Sequence, residues 1–556
     1  MYRAPQTASP VLSYIPPPPD TSFRAFGFSA GPVVISPDGK QLAFSATDQN
    51  GVTQLWVRAL SSSQATTLAG TEDAAAPFWS PESRALGFFA NGKLKTIDLD
   101  NGNIQVLSEA LCPNFFGGAW SRKGTILFTP HCLGPIERIS ASGGSPQAAT
   151  KVEDGESEHV SPAFLPDGNH FLYVVIGKDR SNSIWFGSLD SSEKKAVLKD
   201  AGFPQFASGY LFFAGSAGRV FTQQFDPKNG KLAGNAVAMA ESHSYSVSGN
   251  GVLAYQGGSV RGRLEWFDRS GNPAGTIGQT AVYWAAKISP DGAHVLADIM
   301  DEQSDGADLW SYPAGGGVGT RLTFGTGRKV FSVWSPDGKF IAYTCYPNAK
   351  PGVCRKPSDG SGAEENLFTL GDETGRANTI DWSPDGHFVS IDEYNLKESR
   401  WENWILPLNG DRKASQPAPA TADQYDGNFS PDGRWLAYFS YESGRPEVYV
   451  VPFPGRGGKF QISQSGGWLV RWDKKNHLYF LTMGNRLMEA DLAMSEKSVQ
   501  VKSIHPLFQL AVPSSSTPFF DVNSDGSRFL VINAADPAAS QSITVLLSWE
   551  AKLKQP

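Results

Sequence analysis

A tight turn recurs along this chain at a near-constant period, and that recurrence limits the fold more than any other feature. SPDG stands at Ser36, Ser289, Ser335, Ser383 and Ser430. Variants are SPES at Ser80, SRKG at Ser121, LPDG at Leu165, SGNG at Ser248, DKKN at Asp473 and NSDG at Asn523, with a weaker ASGY around Gly209. Proline presets φ at the second turn position, serine and aspartate hydrogen-bond nearby amides, and glycine takes the left-handed conformation. The copies lie about 41 to 50 residues apart, the period of four-stranded propeller blades. Each is followed by two alternating strands, as in QLAFSA…TQLWVRAL, NHFLYVV…SIWFGSL and WLAYFS…EVYVVPF,. The residue before the turn is large and apolar at Ile35, Trp79, Trp120, Phe164, Ile288, Trp334, Trp382, Phe429, Trp472 and Val522. Such residues belong on the innermost strand, packed between adjacent blades, where each burial contributes about 2–3 kcal/mol.

The expected fold is therefore all-β, a β-propeller of about twelve four-stranded blades. Two six-bladed lobes meeting near residue 280 are the favoured arrangement, with one large closed ring as the alternative. Residues 1–20 read as a Pro-rich segment, 21–280 as the first lobe and 281–556 as the second. The last unit has PFFDV, RFLVIN and ITVLLSW, then only the short polar EAKLKQP. The orphan strand VLSYI at residues 11–15 is expected to complete that last blade and close the ring, since closure removes open sheet edges. Gly at 58 and Pro at 38 agree with many turns and few helices,.

Blades built on WSPDGK and ending in an acidic-aromatic strand resemble the WD40-like PD40 repeats of TolB-type propellers. The run FSPDGRWLAYFSYESGRPEVYVVPFPGRGGKFQIS and the segment WFDRSG at Trp266–Gly271 are similar to the propeller region that follows the kinase and membrane segment in large bacterial Ser/Thr kinases of acidobacterial type. The resemblance spans residues 22–549. It implies a non-catalytic module for protein interaction or ligand sensing on the extracytoplasmic side, acting as a monomer. The chain shows no kinase Gly-rich loop, HRD-type loop or DFG,.

A net charge of −7 and a pI near 5.7 argue against nucleic acid as a partner. No apolar run reaches the ~18 residues of a membrane span, and the N-terminus lacks the apolar core of a signal peptide. A cytoplasmic location therefore stays open beside a periplasmic one. GFSAG at residues 27–31 matches a nucleophile elbow, but that motif needs a strand-to-helix turn in an α/β sheet, and here it leads into a propeller strand. No catalytic residue, metal or cofactor is assigned. Two alternatives remain: a propeller enzyme of the lyase or cyclase type, which would need acid, base or metal groups converging at one channel mouth, and the gating propeller of a serine peptidase.

Function is sought where the repeats disagree. His131, His159 and His243 fall in loops of one propeller face in the first half, with Glu156 and Glu158 beside His159, a candidate face site for a metal ion or other ligand, although no short-range ligand spacing accompanies it. Cys345 and Cys354 would stand opposite each other in a hairpin, and Cys112 and Cys132 would share one face of another blade. Both pairings point to disulfides and an oxidising compartment, against an alternative of four reduced thiols. The position two before each turn is apolar or small in the first half (Val34, Phe78, Ala119, Ala163). In the second half it reads Lys287, Val333, Asp381, Asn428, Arg471 and Asp521. Lys287, Asp381, Asn428, Arg471 and Asp521 are thus channel candidates for a small polar ligand, protein or peptide tail. The competing explanation is salt bridging between blades.

Overall fold

A computed structural model of the chain describes residues 10–23, 33–48, 52–110, 117–131, 134–178, 181–191, 193–215, 219–242, 244–256, 261–301, 306–325, 327–347, 350–371, 374–398, 400–455, 457–512, 519–535 and 542–554. The GFSAG segment, His243, Cys112 and Cys132 lie outside these residues.

The repeated turn is a closed hydrogen-bonded unit. Ser430 Oγ donates to Asp432 Oδ1 at 2.6 Å and accepts from Trp435 N at 3.0 Å, while Gly433 N donates to Ser430 O at 2.9 Å. Gly433 has φ +67°, where a β-carbon would be strained,. The same Ser–Asp bond forms at Ser36, Ser289, Ser335 and Ser383. These serines are buried, so the motif is scaffold.

Contacts divide the chain into two compact units, residues 1–260 with 536–556, and residues 261–535. The described residues form twelve antiparallel sheets, six in each unit. In unit 1, blades 1 to 5 follow chain order over residues 21–67, 75–109, 118–148, 156–199 and 202–241. Blade 6 is composite. From the inside out it holds Tyr245–Val247, Val252–Gln256, Ile543–Leu547 and Val11–Ile15. In unit 2, blades 7 to 11 cover residues 283–321, 330–369, 374–407, 424–461 and 468–509. Blade 12 is composite too, with Phe520–Val522, Arg528–Ala534, Gly262–Asp268 and Pro273–Ala281 from the inside out.

Contacts between innermost strands run from blade 1 through 6 and back to 1, and from 7 through 12 and back to 7. Each unit is thus a closed ring of six. Apolar clusters fill the joints between neighbouring blades. Trp79, Phe88 and Leu55 pack between blades 1 and 2, and Val450, Trp435 and Phe480 between blades 10 and 11. The tryptophan before the turn also ties blades together. Trp79, Trp334 and Trp472 donate their indole N–H to the carbonyls of Val34, Lys287 and Asn428 on the preceding blade, at 3.1, 3.2 and 3.3 Å.

Two sequence expectations are corrected. Val11–Ile15 does pair with Ile543–Leu547, but those strands join Val252–Gln256 rather than Arg528–Ala534, which belongs to the other unit. The units divide at residues 260/261, not near 280, and residues 536–556 return to the first. Local hairpin logic assigns consecutive strands to one blade, whereas here the outer halves of two blades are exchanged.

Cys345 and Cys354 form the expected disulfide, with Cα atoms 5.8 Å apart across the hairpin of blade 8. Closing a loop of this length is expected to stabilise unit 2 by about 2–3 kcal/mol. Denaturant unfolding of the protein against a Cys345→Ser/Cys354→Ser variant checks this. Equal midpoints would show the bridge to be energetically idle.

Candidate functional site

The six residues two before the turns of unit 2 sit one on each innermost strand: Lys287, Val333, Asp381, Asn428, Arg471 and Asp521 on blades 7 to 12 in order. The innermost strand of any blade has one unpaired edge, and its amides need acceptors. Carboxylates from the preceding blade supply them. Asp521 Oδ2 accepts from Ile288 N at 2.8 Å, Asp381 Oδ2 from Phe429 N at 2.9 Å, and Asp426 Oδ2 from Val470 N at 2.5 Å. Asp392 accepts from Asp426 N through both oxygens, at 3.1 and 2.9 Å. Asp298 accepts from Ser332 N at 3.3 Å and from its hydroxyl. Between blades 8 and 9 a hydroxyl does the work, Thr344 Oγ1 accepting from Thr379 N at 2.8 Å.

In unit 1, neutral groups meet the same demand at two joints. Ser246 Oγ accepts from Ile35 N at 3.1 Å, and Gln205 Oε1 from Val247 N at 2.9 Å. Its positions two before the turn are Val34, Phe78, Ala119 and Ala163, as the sequence reads. The charged inner positions of unit 2 are therefore partly accounted for as blade-to-blade hooks.

The cations are accounted for differently. Arg471, 4 % exposed, donates Nη1 to Asp426 Oδ1 at 2.9 Å, to Asn428 Oδ1 at 3.4 Å and to Val470 O at 2.5 Å. Its Nε has no hydrogen-bond partner, Asp521 Oδ1 lying 4.0 Å away. Lys287 Nζ lies 5.8 Å from the Phe519 ring centre and the Arg471 guanidinium 5.0 Å from the same ring. Lys287 is half-buried and makes no ion pair or side-chain hydrogen bond among the described residues. Burial first, then the Arg471 charge, holds its ammonium below the ordinary lysine pKa,. Burial pushes the Asp381 carboxyl up to about 6 and Asp298 up to about 7.

Asp298, Asp392, Asp426 and Phe519 escaped the sequence reading because they fall outside the position two before the turn. A signal existed for two of them. Asp298 in VLADI and Asp392 in VSIDEY each interrupt an apolar central strand, where an unpartnered carboxylate is costly.

The loop histidines of unit 1 do not form a shared face site in the described residues. His131 is exposed. His159 is fully buried; its Nε2–H donates to Glu156 Oε2 at 3.0 Å and its Nδ1 accepts from Thr150 Oγ1 at 2.8 Å. Glu156 in turn takes Lys194 Nζ at 2.7 Å. No group of three or more His, Cys, Asp or Glu side chains able to hold a metal occurs among the described residues. A cleft of about 450 Å³ lies between blades 11 and 12, lined by Arg269, Lys475, His477, Glu489 and His505 among others. There Asp473 Oδ2 holds His477 Nδ1 at 2.8 Å, and Arg269 pairs with Glu489.

No protein-family model and no curated protein matches the chain. Among solved structures it is similar to a putative TolB from Agrobacterium tumefaciens, at 17% identity over 50% of this chain and 99% of that one, TM-score 0.39. It is similar to TolB from Acinetobacter baumannii at 13% identity over 62% and 79%, TM-score 0.30. Similarity to the tricorn protease is 12% over 93% of this chain and 62% of that one, TM-score 0.31. These likenesses are of fold. By its own sheets and their closure, the chain is a protein of two six-bladed β-propellers.

Two pH dependences of opposite sign are expected. Burial holds His159 below the ordinary histidine pKa, so its contribution to unit 1 stability is present at neutral pH and lost as pH falls from about 6.5 through the folded value. Asp298 is raised to about 7 from 3.8, so its contribution to unit 2 is full below about pH 4 and lost as pH rises through about 7. Hydrogen exchange read separately in the two units between pH 5 and 8 checks both. His159→Gln should flatten the acid-side loss in unit 1, and Asp298→Asn the alkaline-side loss in unit 2. Unchanged slopes would contradict the assignments.

Proposed function

We propose that the protein is a non-catalytic propeller that senses a small polar ligand or a peptide through the axis of unit 2, on the extracytoplasmic side of a bacterial envelope. The observation that carries this is Lys287. Asp521 and Asp381 each hold a backbone amide of the next blade, yet the lysine ammonium on the same ring lies over Phe519 with no anion in contact among the described residues. Holding a half-buried charge with no anion in contact is costly, and the hooks to Ile35 and Val247 in unit 1 are made without charge. The Cys345–Cys354 bridge supports an oxidising compartment,. The resemblance to receptor-kinase propellers supports a sensory role.

The enzyme alternative has one point in its favour. Arg471 lies within 4.0 Å of both Asp426 and Asp521, a density of titratable groups that active sites share. Both carboxylates are engaged by backbone amides, which leaves no uncommitted general base beside the arginine.

The reading is tested by thermal-shift screening of small polar compounds and short peptides against the protein and a Lys287→Met variant. Compounds that raise Tm of the wild type should lose that effect in the variant, while the folded baseline is retained. Compounds that stabilise both proteins equally would overturn the axial assignment.

A further inference from the structure

The axial ring of unit 2 is polarised by its own strand order. Blade 12 contributes Asp521, and the blades on either side of it contribute the two cations, Lys287 on blade 7 and Arg471 on blade 11. Asp381 comes from blade 9, three blades from Asp521 round the ring of six. Phe519, just before the innermost strand of blade 12, lies against both cations. One side of the ring therefore presents two positive groups about an aromatic ring, and the other presents Asp381 beside the neutral Asn428.

Bonding is incomplete on each side, although Arg471 itself is paired with Asp426 at 2.9 Å. On the cationic side, Asp521 already accepts Ile288 N and Val522 N, at 2.8 and 3.0 Å. It approaches only Arg471, and at 4.0 Å. Lys287 is left without an anion in contact, and Arg471 Nε without an acceptor. On the acidic side, Asp381 has no cation in contact, and burial raises its carboxyl to about 6 despite the Lys287 charge. Arg471 is paired with Asp426, so what stays open on this side is the Lys287 ammonium and the Arg471 Nε–H, which one anionic group could meet together,. A simple anion would enter among the five hook carboxylates of unit 2, Asp298, Asp381, Asp392, Asp426 and Asp521, set against two cations. A ligand bearing both charges meets no such net repulsion and compensates both sides together.

We infer that the axis of unit 2 binds a small zwitterion of the α-amino-acid type, its carboxylate between Lys287 and Arg471 against Phe519 and its ammonium towards Asp381. This rests on the axial reading above and names the ligand class for it. Asp426 keeps its bonds to Val470 N and Arg471 Nη1, so the hooks between blades are undisturbed. Arg471 offers the ligand its Nε, the atom it does not use within the protein.

The probes are the proteinogenic amino acids, followed, for the tightest binder, by its N-acetyl and carboxamide derivatives, in titration calorimetry with the full chain. The expected result is one-to-one binding that weakens at least tenfold on acetylation and, separately, on amidation. Lys287→Met should weaken it by at least tenfold as well. The derivative series uses the wild-type protein alone, so it decides the matter even if the variant fails to fold. Absence of binding at millimolar amino acid would overturn the inference. Blocked derivatives binding as tightly as the parent, with the loss in Lys287→Met kept, would overturn the zwitterion and leave the axial reading standing. Binding indifferent to Lys287→Met in a folded variant would overturn both.

Discussion

Every part of this protein depends on how its rings are closed. A blade cannot bury both faces by itself, so the apolar clusters at the joints exist only while the first and last blades of a unit touch. Closure comes from two strand pairings of very long range. Val252–Gln256 pairs with Ile543–Leu547 in unit 1, and Gly262–Asp268 with Arg528–Ala534 in unit 2. The chain leaves unit 1 after the two inner strands of blade 6, builds all of unit 2, and returns to finish the blade it left. Exchanging the outer halves of blades 6 and 12 is what separates two rings of six from one ring of twelve. If Gly262–Asp268 had followed Val252–Gln256 in one sheet, and Ile543–Leu547 had followed Arg528–Ala534, the same blades would have joined in a single circle.

The closed ring then creates a second demand at its centre. Innermost strands present an edge of unpaired amides, and the side chains that satisfy them come from the neighbouring blade. Serine and glutamine serve at two joints of unit 1, whereas in unit 2 aspartates serve at four joints and Thr344 at another. That choice concentrates buried carboxylates near the axis and raises several of their pKa values through desolvation. Function and stability are intertwined there, because the groups that lock the blades also set the field in which Lys287 and Arg471 sit.

Much of this was legible in the chain. The SPDG turns give the blade count and the strand rhythm, and the bulky residue before each turn marks the innermost strand. The residue one step earlier falls on the innermost strand, so Lys287, Asp381, Asn428, Arg471 and Asp521 could be placed there, one to a blade, from spacing alone. The hairpin logic that paired Cys345 with Cys354 held for the same reason, because the two residues are close in sequence. His159 shows where such logic stops. Its loop position suggested an open face, but the fold buries the ring against Thr150 and Glu156, contacts that depend on how the blade 3 and blade 4 loops meet.

Sequence by itself determined what is local and periodic: turns held by their own serine and aspartate, alternating strands, and one inner position per blade. Tertiary structure decided which blade each outer strand completes. Residues 262–268 and 543–547 are equally good strands in either partner, and backbone ladders carry no label that tells one edge from another. Only the simultaneous packing of six blades about each axis selects between them. The same packing fixes which aspartate meets an amide and leaves Lys287 over Phe519 with no anion in contact, a difference that no reading of residue types along the chain could supply.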